Sequence, residues 1–139
     1  MVRDGLIKPL PVDPKRVKRS FELAERDLKT AKKVLEESPD WAFSIAYNSM
    51  LQATRALMFS KGYRPAGDKH HVSAVKFAES VLGRGSQLVV AFDRMRRKRH
   101  VAVYDVAGAV SKTDAENAIR WAGKFLSEAR KILKDAGFI

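Results

Sequence analysis

The chain has 139 residues and a formal net charge of +11, with 27 Lys and Arg against 16 Asp and Glu, 45% hydrophobic residues and no cysteine. One domain with one core fits that length, and the missing cysteine excludes disulfides, thiolate catalysis and Cys-based zinc or iron–sulfur sites. No apolar run approaches the ~20 residues of a membrane span and the first residues are too polar for a signal peptide, so a cytoplasmic protein is expected, with no membrane association. The basic excess favours a polyanionic partner, nucleic acid ahead of a membrane surface, although a basic balance also serves solubility.

Residues 1–12 contain Pro9 and Pro11 and predict a loose or extended arm, leaving 13–139 as a single helical domain. Asp13-Pro14 then offers an N-cap and a proline at the first helical position. The spacing of Val17, Phe21, Ala24, Leu28, Ala31 and Leu35 predicts a long helix with one narrow packing face, ended by Ser38-Pro39. Asp40 is the next candidate cap, and Trp41 to about Ser60 run without Gly or Pro until Gly62.

This second helix is apolar on nearly every side. Ala42, Ile45, Ala46, Met50, Ala53 and Leu57 form one stripe, while Trp41, Phe43, Tyr47, Leu51, Met58 and Phe59 occupy other faces. Such a helix is either central or at a subunit interface. Arg55 within it reads as a paired or snorkelling side chain, or else as one that lines a site.

A loop over residues 62–69 precedes a short helix from about His70 to Leu82, closed by Gly83-Arg84-Gly85. Ser86 can cap a fourth helix through Leu88 and Phe92. Thr113-Asp114-Ala115-Glu116 fits a capping box for the last helix, whose Ala115, Ala118, Ala122, Phe125, Ala129 and Ile132 make a heptad-like seam ending at Gly137. No alternating strand pattern is visible. The expected fold is all-α, an up-and-down bundle of four to five helices.

The fourth helix carries the most unusual chemistry. Arg94, Arg96, Arg97, Lys98 and Arg99 are five cations within six positions, followed by His100 and, further on, Tyr104. The apolar stripe Leu88, Phe92, Met95, Ala102 passes through Arg99, where an aliphatic residue would be expected. Arg96 and His100 are one turn apart with Arg99 beside them, a face able to hold an RNA phosphate. Arginine there would neutralise a developing oxyanion and histidine would move protons, with the RNA's own 2′-hydroxyl as nucleophile. The plain alternative is a basic helix end suited to the C-terminal dipole.

No phosphate-binding glycine loop is present. His70 and His71 project about 100° apart and cannot share a metal as an i, i+4 pair would, so neither metal nor cofactor is expected. One of them reads as a helix cap and the other as exposed.

The segments Ala46-Tyr47-Asn48 to Ala53-Thr54-Arg55-Ala56-Leu57, Lys61-Gly62-Tyr63-Arg64-Pro65, His70-His71, and Phe92-Asp93-Arg94-Met95-Arg96-Arg97-Lys98-Arg99-His100 running into Tyr104-Asp105 resemble, in that order, a HEPN domain. The resemblance covers most of the chain. It implies a HEPN-like helical bundle that dimerises, bringing two Arg99 regions into one cleft. It also implies an RNA- or nucleotide-binding function, with metal-independent endoribonuclease activity of the toxin type and a minimal nucleotidyltransferase as the neutralising partner. The alternative within the same resemblance is a non-catalytic nucleotide-binding or partner-binding module.

The family's motif is an Arg followed after four to six residues by a His. One register aligns Arg99 with the arginine, His100 with the following polar position and Tyr104 with the histidine, as in relatives that carry an Arg-Asn…Asp-Tyr version. The other pairs Arg94 with His100. The site residues so implied are Arg99, His100 and Tyr104 for chemistry and Arg94, Arg96, Arg97 and Lys98 for nucleic-acid binding. Tyr104 is also the candidate for nucleotidylation by the partner.

Overall fold

The computed structural model describes residues 1–2, 4–100 and 110–139. Helix α1, Pro14–Val34, begins as its sequence dictates: Asp13 is extended, and its carboxylate accepts from the Lys15 backbone N–H at 3.0 Å. The buried face of α1 is Val17, Ser20, Phe21, Ala24, Asp27 and Ala31. Two of these are polar and are satisfied from the next helix. Ser20 Oγ donates to the Gln52 carbonyl at 2.9 Å, and Asp27 accepts from Asn48 Nδ2 at 2.9 Å.

Helix α2, Pro39–Ser60, is the axis of the bundle and packs against each of the other described helices. Its all-round apolarity therefore reflects a central position. Tyr47, Met50, Leu57 and Met58 are completely buried. The helix starts one residue before the expected Asp40 cap, with Ser38 at the N-cap position and Pro39 in the first turn, where proline loses no hydrogen bond.

A short sheet appears where the sequence shows no strand pattern. Strand β1, Ile7–Pro9, pairs antiparallel with β2, Tyr63–Pro65, with Ile7 opposite Pro65 and Pro9 opposite Tyr63. Three residues that include a proline are too few to display alternation, and the partners are remote in sequence. Gly62, at φ +84°, ends α2 and turns the chain so that its carbonyl accepts from the Leu10 N–H at 2.8 Å. The expected loose arm is thus tied to the loop after α2.

Helix α3, His70–Leu82, and helix α4, Gln87–His100, follow at the expected places. Helix α5, Lys112–Asp135, is capped two residues earlier than expected. The capping box is Ser111 with Asp114, at 3.0 Å and 3.1 Å for its two reciprocal bonds, and not Thr113 with Glu116. Both quartets have the right pattern. The buried face of α5 includes Ala115, Ala118, Ala122, Phe125 and Ala129, with Leu133 the buried residue at the end of the seam.

The core of the bundle includes an aromatic row. The rings of Tyr47 and Phe92 lie 5.6 Å apart and those of Phe92 and Phe125 5.2 Å apart, joining α2, α4 and α5. This row sets the height and rotation of α4, and so the direction in which its basic residues project. Among the described residues the architecture is an all-α bundle of five helices with one two-stranded sheet, and no helix is long and apolar enough to cross a membrane.

Candidate functional site

The end of α4 meets the start of α3 over the ring of Tyr47. There the structure forms an open cleft of about 460 Å³ lined by Asp68, Lys69, His70, His71, Arg96, Arg99, His100 and Val72. Helical spacing brings Arg96, Arg99 and His100 to one side, while the turn after β2 delivers the two adjacent histidines to the other.

Arg99 is the innermost of the cations. Its guanidinium carbon lies 5.6 Å from the Tyr47 ring centroid, a cation–π contact, and its buried Nε has no hydrogen-bond partner among the described residues. The arginine in the apolar stripe is therefore packed on the π face of a buried phenol. Arg96 is held from behind: Asp93 accepts from its Nε at 3.0 Å and pairs with Arg97 at 2.7 Å.

His71 is the unexpected member. Its ring stacks on Tyr47 at 5.7 Å and 11° between planes, and Nδ1 lies 2.9 Å from the Tyr47 hydroxyl. Burial lowers the pKa of this imidazole, and the positive charges of Arg99, Arg55, His70 and Arg96 push the same way. Burial also raises the ionisation of Tyr47 well above the usual phenol range, against the opposing pull of Arg99, Arg96 and Arg55. Both shifts favour the neutral form of the group.

The expected nucleic-acid-binding residues separate in space. Arg96 lines the cleft with Arg99. Arg94 and Arg97 line a groove with Val75, Glu79 and Val90, and Lys98 faces a groove floored by Phe43, Met95 and Trp121, where its ammonium lies 3.6 Å from Asp114. His100 is exposed and shares the cleft with Arg99, whereas Arg94 projects elsewhere. Tyr104, and with it the Arg99…Tyr104 register, lies outside the described residues.

Lys69 stands at the N-cap of α3 and supplies no side-chain acceptor. The uncapped first turn of that helix thus adds partial positive charge to a cleft already lined by Lys69, Arg96 and Arg99. Asp68 is the one acidic residue among the described residues that line it. The summed charge of such a cleft favours anions over cations. Among the described residues no group of three His, Asp or Glu is arranged to hold a metal ion.

A family model of the HEPN domain matches residues 17–132, from the first turn of α1 to the last turns of α5. The chain belongs to the HEPN family. The crystal structure of TT1696 from Thermus thermophilus is similar to it with a TM-score of 0.66, over 84% of this chain and 97% of that one. At 19% identity that likeness speaks for the fold alone. No curated protein matches the sequence.

On this HEPN scaffold the cleft is built with residues, in its lining and beneath it, that sequence reading passed over. Tyr47 counts there as one more apolar group on a helix apolar all round, and His71 as a cap or an exposed side chain. Arg55 forms no ion pair among the described residues and contributes its charge to Tyr47 and His71, so it belongs to the electrostatics of the site. The available signal was a phenol and an arginine facing inward on α2, eight positions apart. Nothing in the sequence pattern ties them to His71.

Proposed function

We propose that this HEPN protein binds RNA through the cleft between α3 and α4 and cleaves it as a metal-independent endoribonuclease of the toxin type. The observation that carries this reading is the convergence of Arg96, Arg99 and His100 on one basic cleft, with Arg99 seated on Tyr47. Two guanidinium groups suit the non-bridging oxygens of a phosphodiester, and their planar donor forks hold it in a defined orientation. Attack by the 2′-oxygen on phosphorus then expels the 5′-oxygen and leaves a cyclic phosphate. His100, exposed at the cleft, takes the 2′-hydroxyl proton as the new P–O bond forms, solvent water supplies the proton that the departing 5′-oxygen takes up, and Arg99 stabilises the charge that develops on the phosphoryl oxygens.

Dimerisation would set two such clefts side by side. The partner that fits the family is a minimal nucleotidyltransferase, and Tyr104, a few residues beyond Arg99, is its target. A neighbouring nucleotidyltransferase reading frame and a dimer in sedimentation are the outcomes this pairing requires. For the chemistry, purified wild type is compared with Arg99→Ala and His100→Ala on a single-stranded RNA. Loss of cleavage in both variants is expected. RNA binding without cleavage by wild type would favour the non-catalytic module, and equal cleavage by all three would refute the site.

A further inference from the structure

Tyr47 is completely buried, and its hydroxyl has one hydrogen-bond partner among the described residues, His71 Nδ1 at 2.9 Å. A phenol has one proton to donate, and a buried O–H left without an acceptor is costly. If Nδ1 carried the imidazole proton and donated it to the phenol oxygen, the phenol's own proton would have no acceptor among the described residues. The phenol therefore donates to Nδ1. In a neutral imidazole that leaves the proton on Nε2. No described residue bonds Nε2, and the ring that carries it lines the cleft beside Arg99 and Arg96.

We infer that His71 is a neutral Nε2–H donor to a phosphoryl oxygen in the cleft, and that Tyr47 is the positioning residue that sets its tautomer and orientation. This rests on the reading of the cleft as a phosphate site. The same phenol thereby places two donors: its hydroxyl orients His71 and its π face seats Arg99. A donor of this kind is neutral and already oriented, so it adds a hydrogen bond without adding a further charge to a crowded cationic site.

The surroundings favour the neutral form. Facing His71 are Tyr47 and Arg55 from α2, Lys69 and His70 at the start of α3, Asp68 just before it, and Arg96, Arg99 and His100 from α4. One carboxylate stands among these groups against four cations. An imidazolium at His71 would be repelled on several sides, and its lowered pKa agrees. Because Nδ1 is occupied by the phenol and Nε2 carries the proton, His71 has no free lone pair at neutral pH and is not the general base.

The full chain, labelled with ¹⁵N at histidine, is titrated with inorganic phosphate and followed through the imidazole nitrogens. Wild type is expected to show the Nε2–H tautomer at neutral pH, with the His71 signals shifting as phosphate binds. Tyr47→Phe keeps the ring under Arg99 but removes the O–H. Its His71 should become a mixture of tautomers, with phosphate affinity lowered by about tenfold, in the range of a hydrogen bond to a charged acceptor. His71→Ala should lose as much, while His71→Gln, whose amide N–H can replace the Nε2–H donor, should retain most of the affinity.

An Nδ1–H tautomer or an imidazolium in wild type would overturn the proposal, as would a His71 signal indifferent to saturating phosphate. Phosphate binding at His71 with no binding of single-stranded RNA would uphold the donor and overturn the RNA reading. The two failures are thereby distinguishable.

Discussion

The guanidinium of Arg99 sits 5.6 Å from the ring centroid of Tyr47, with its Nε buried and without a hydrogen-bond partner among the described residues. A cation–π contact of this kind contributes up to about 2 kcal/mol when desolvated, whereas a buried donor without a partner costs about 1–3 kcal/mol. The two nearly cancel, so Arg99 is poorly explained by stability. Replacing it with leucine should leave the urea midpoint unchanged or raised, while RNA affinity falls at least tenfold. A clear drop in midpoint would mean that Arg99 holds the bundle together. This opposition of stability and binding is the mark of a side chain retained for function.

Tyr47 is the counterpart case, since it fills the core. Tyr47→Ala removes a fully buried ring from the aromatic row with Phe92 and Phe125, and an aromatic truncation of that size costs about 3–5 kcal/mol. Tyr47→Phe should cost only about 1 kcal/mol, because the ring stays and only the bond to His71 is lost. Equilibrium denaturation of the two variants would show the difference, and equal losses would contradict the packing described.

The buried side of His71 gives stability a pH dependence of known sign. Burial first, then Arg99, lowers its pKa in the folded state below the unfolded value of about 6.5. Between those two values the unfolded chain binds the additional proton. The contribution to stability is therefore intact above the unfolded value and is lost as pH falls through it towards the folded one. His71→Gln should lose less stability than wild type between about pH 7.5 and about pH 5.5, as read from urea midpoints. Parallel losses in the two proteins would show that His71 does not titrate differently on folding.

The start of α5 separates two candidate caps. Ser111→Ala removes the side-chain acceptor for the Asp114 N–H and should destabilise by about 1 kcal/mol. Thr113→Ala should change stability by less than about 0.5 kcal/mol, as a surface substitution away from the cap. Thermal midpoints suffice, and a larger effect at Thr113 would restore the later capping box.

The division of the basic residues predicts different salt responses. Arg96→Ala and Arg99→Ala should each weaken RNA binding and reduce the slope of log K against log salt by about 1. Arg94→Ala and Lys98→Ala should have little effect on that slope, since these residues project into other grooves and Lys98 is paired with Asp114. Equal slopes for all four variants would mean that RNA runs across the whole of α4.

Particular residues show how far sequence reading reaches. Asp13-Pro14, the Phe21 stripe and Gly137 act locally, through caps, helical period and backbone conformation, and each does what its neighbours in the chain imply. Arg99 also announced itself, because a charge at an apolar position breaks a local pattern. The β1–β2 pairing did not, since its strands are short, contain proline and lie far apart in sequence. Ser111 and Thr113 both head a quartet of the right capping pattern, and only the observed bonds between Ser111 and Asp114 separate them.

The sequence by itself determined an all-α bundle, its helix boundaries to within a few residues, and one arginine placed in an apolar row. Those properties follow from interactions between residues no more than a few turns apart. Only the tertiary structure decided that Tyr47 lies beneath Arg99, that His71 bonds the same phenol, and that Arg94 and Lys98 project away from the cleft. The reason is physical. The rotation of α4 about its axis is set by Phe92 packed between Tyr47 and Phe125, contacts made across three helices that no local pattern encodes.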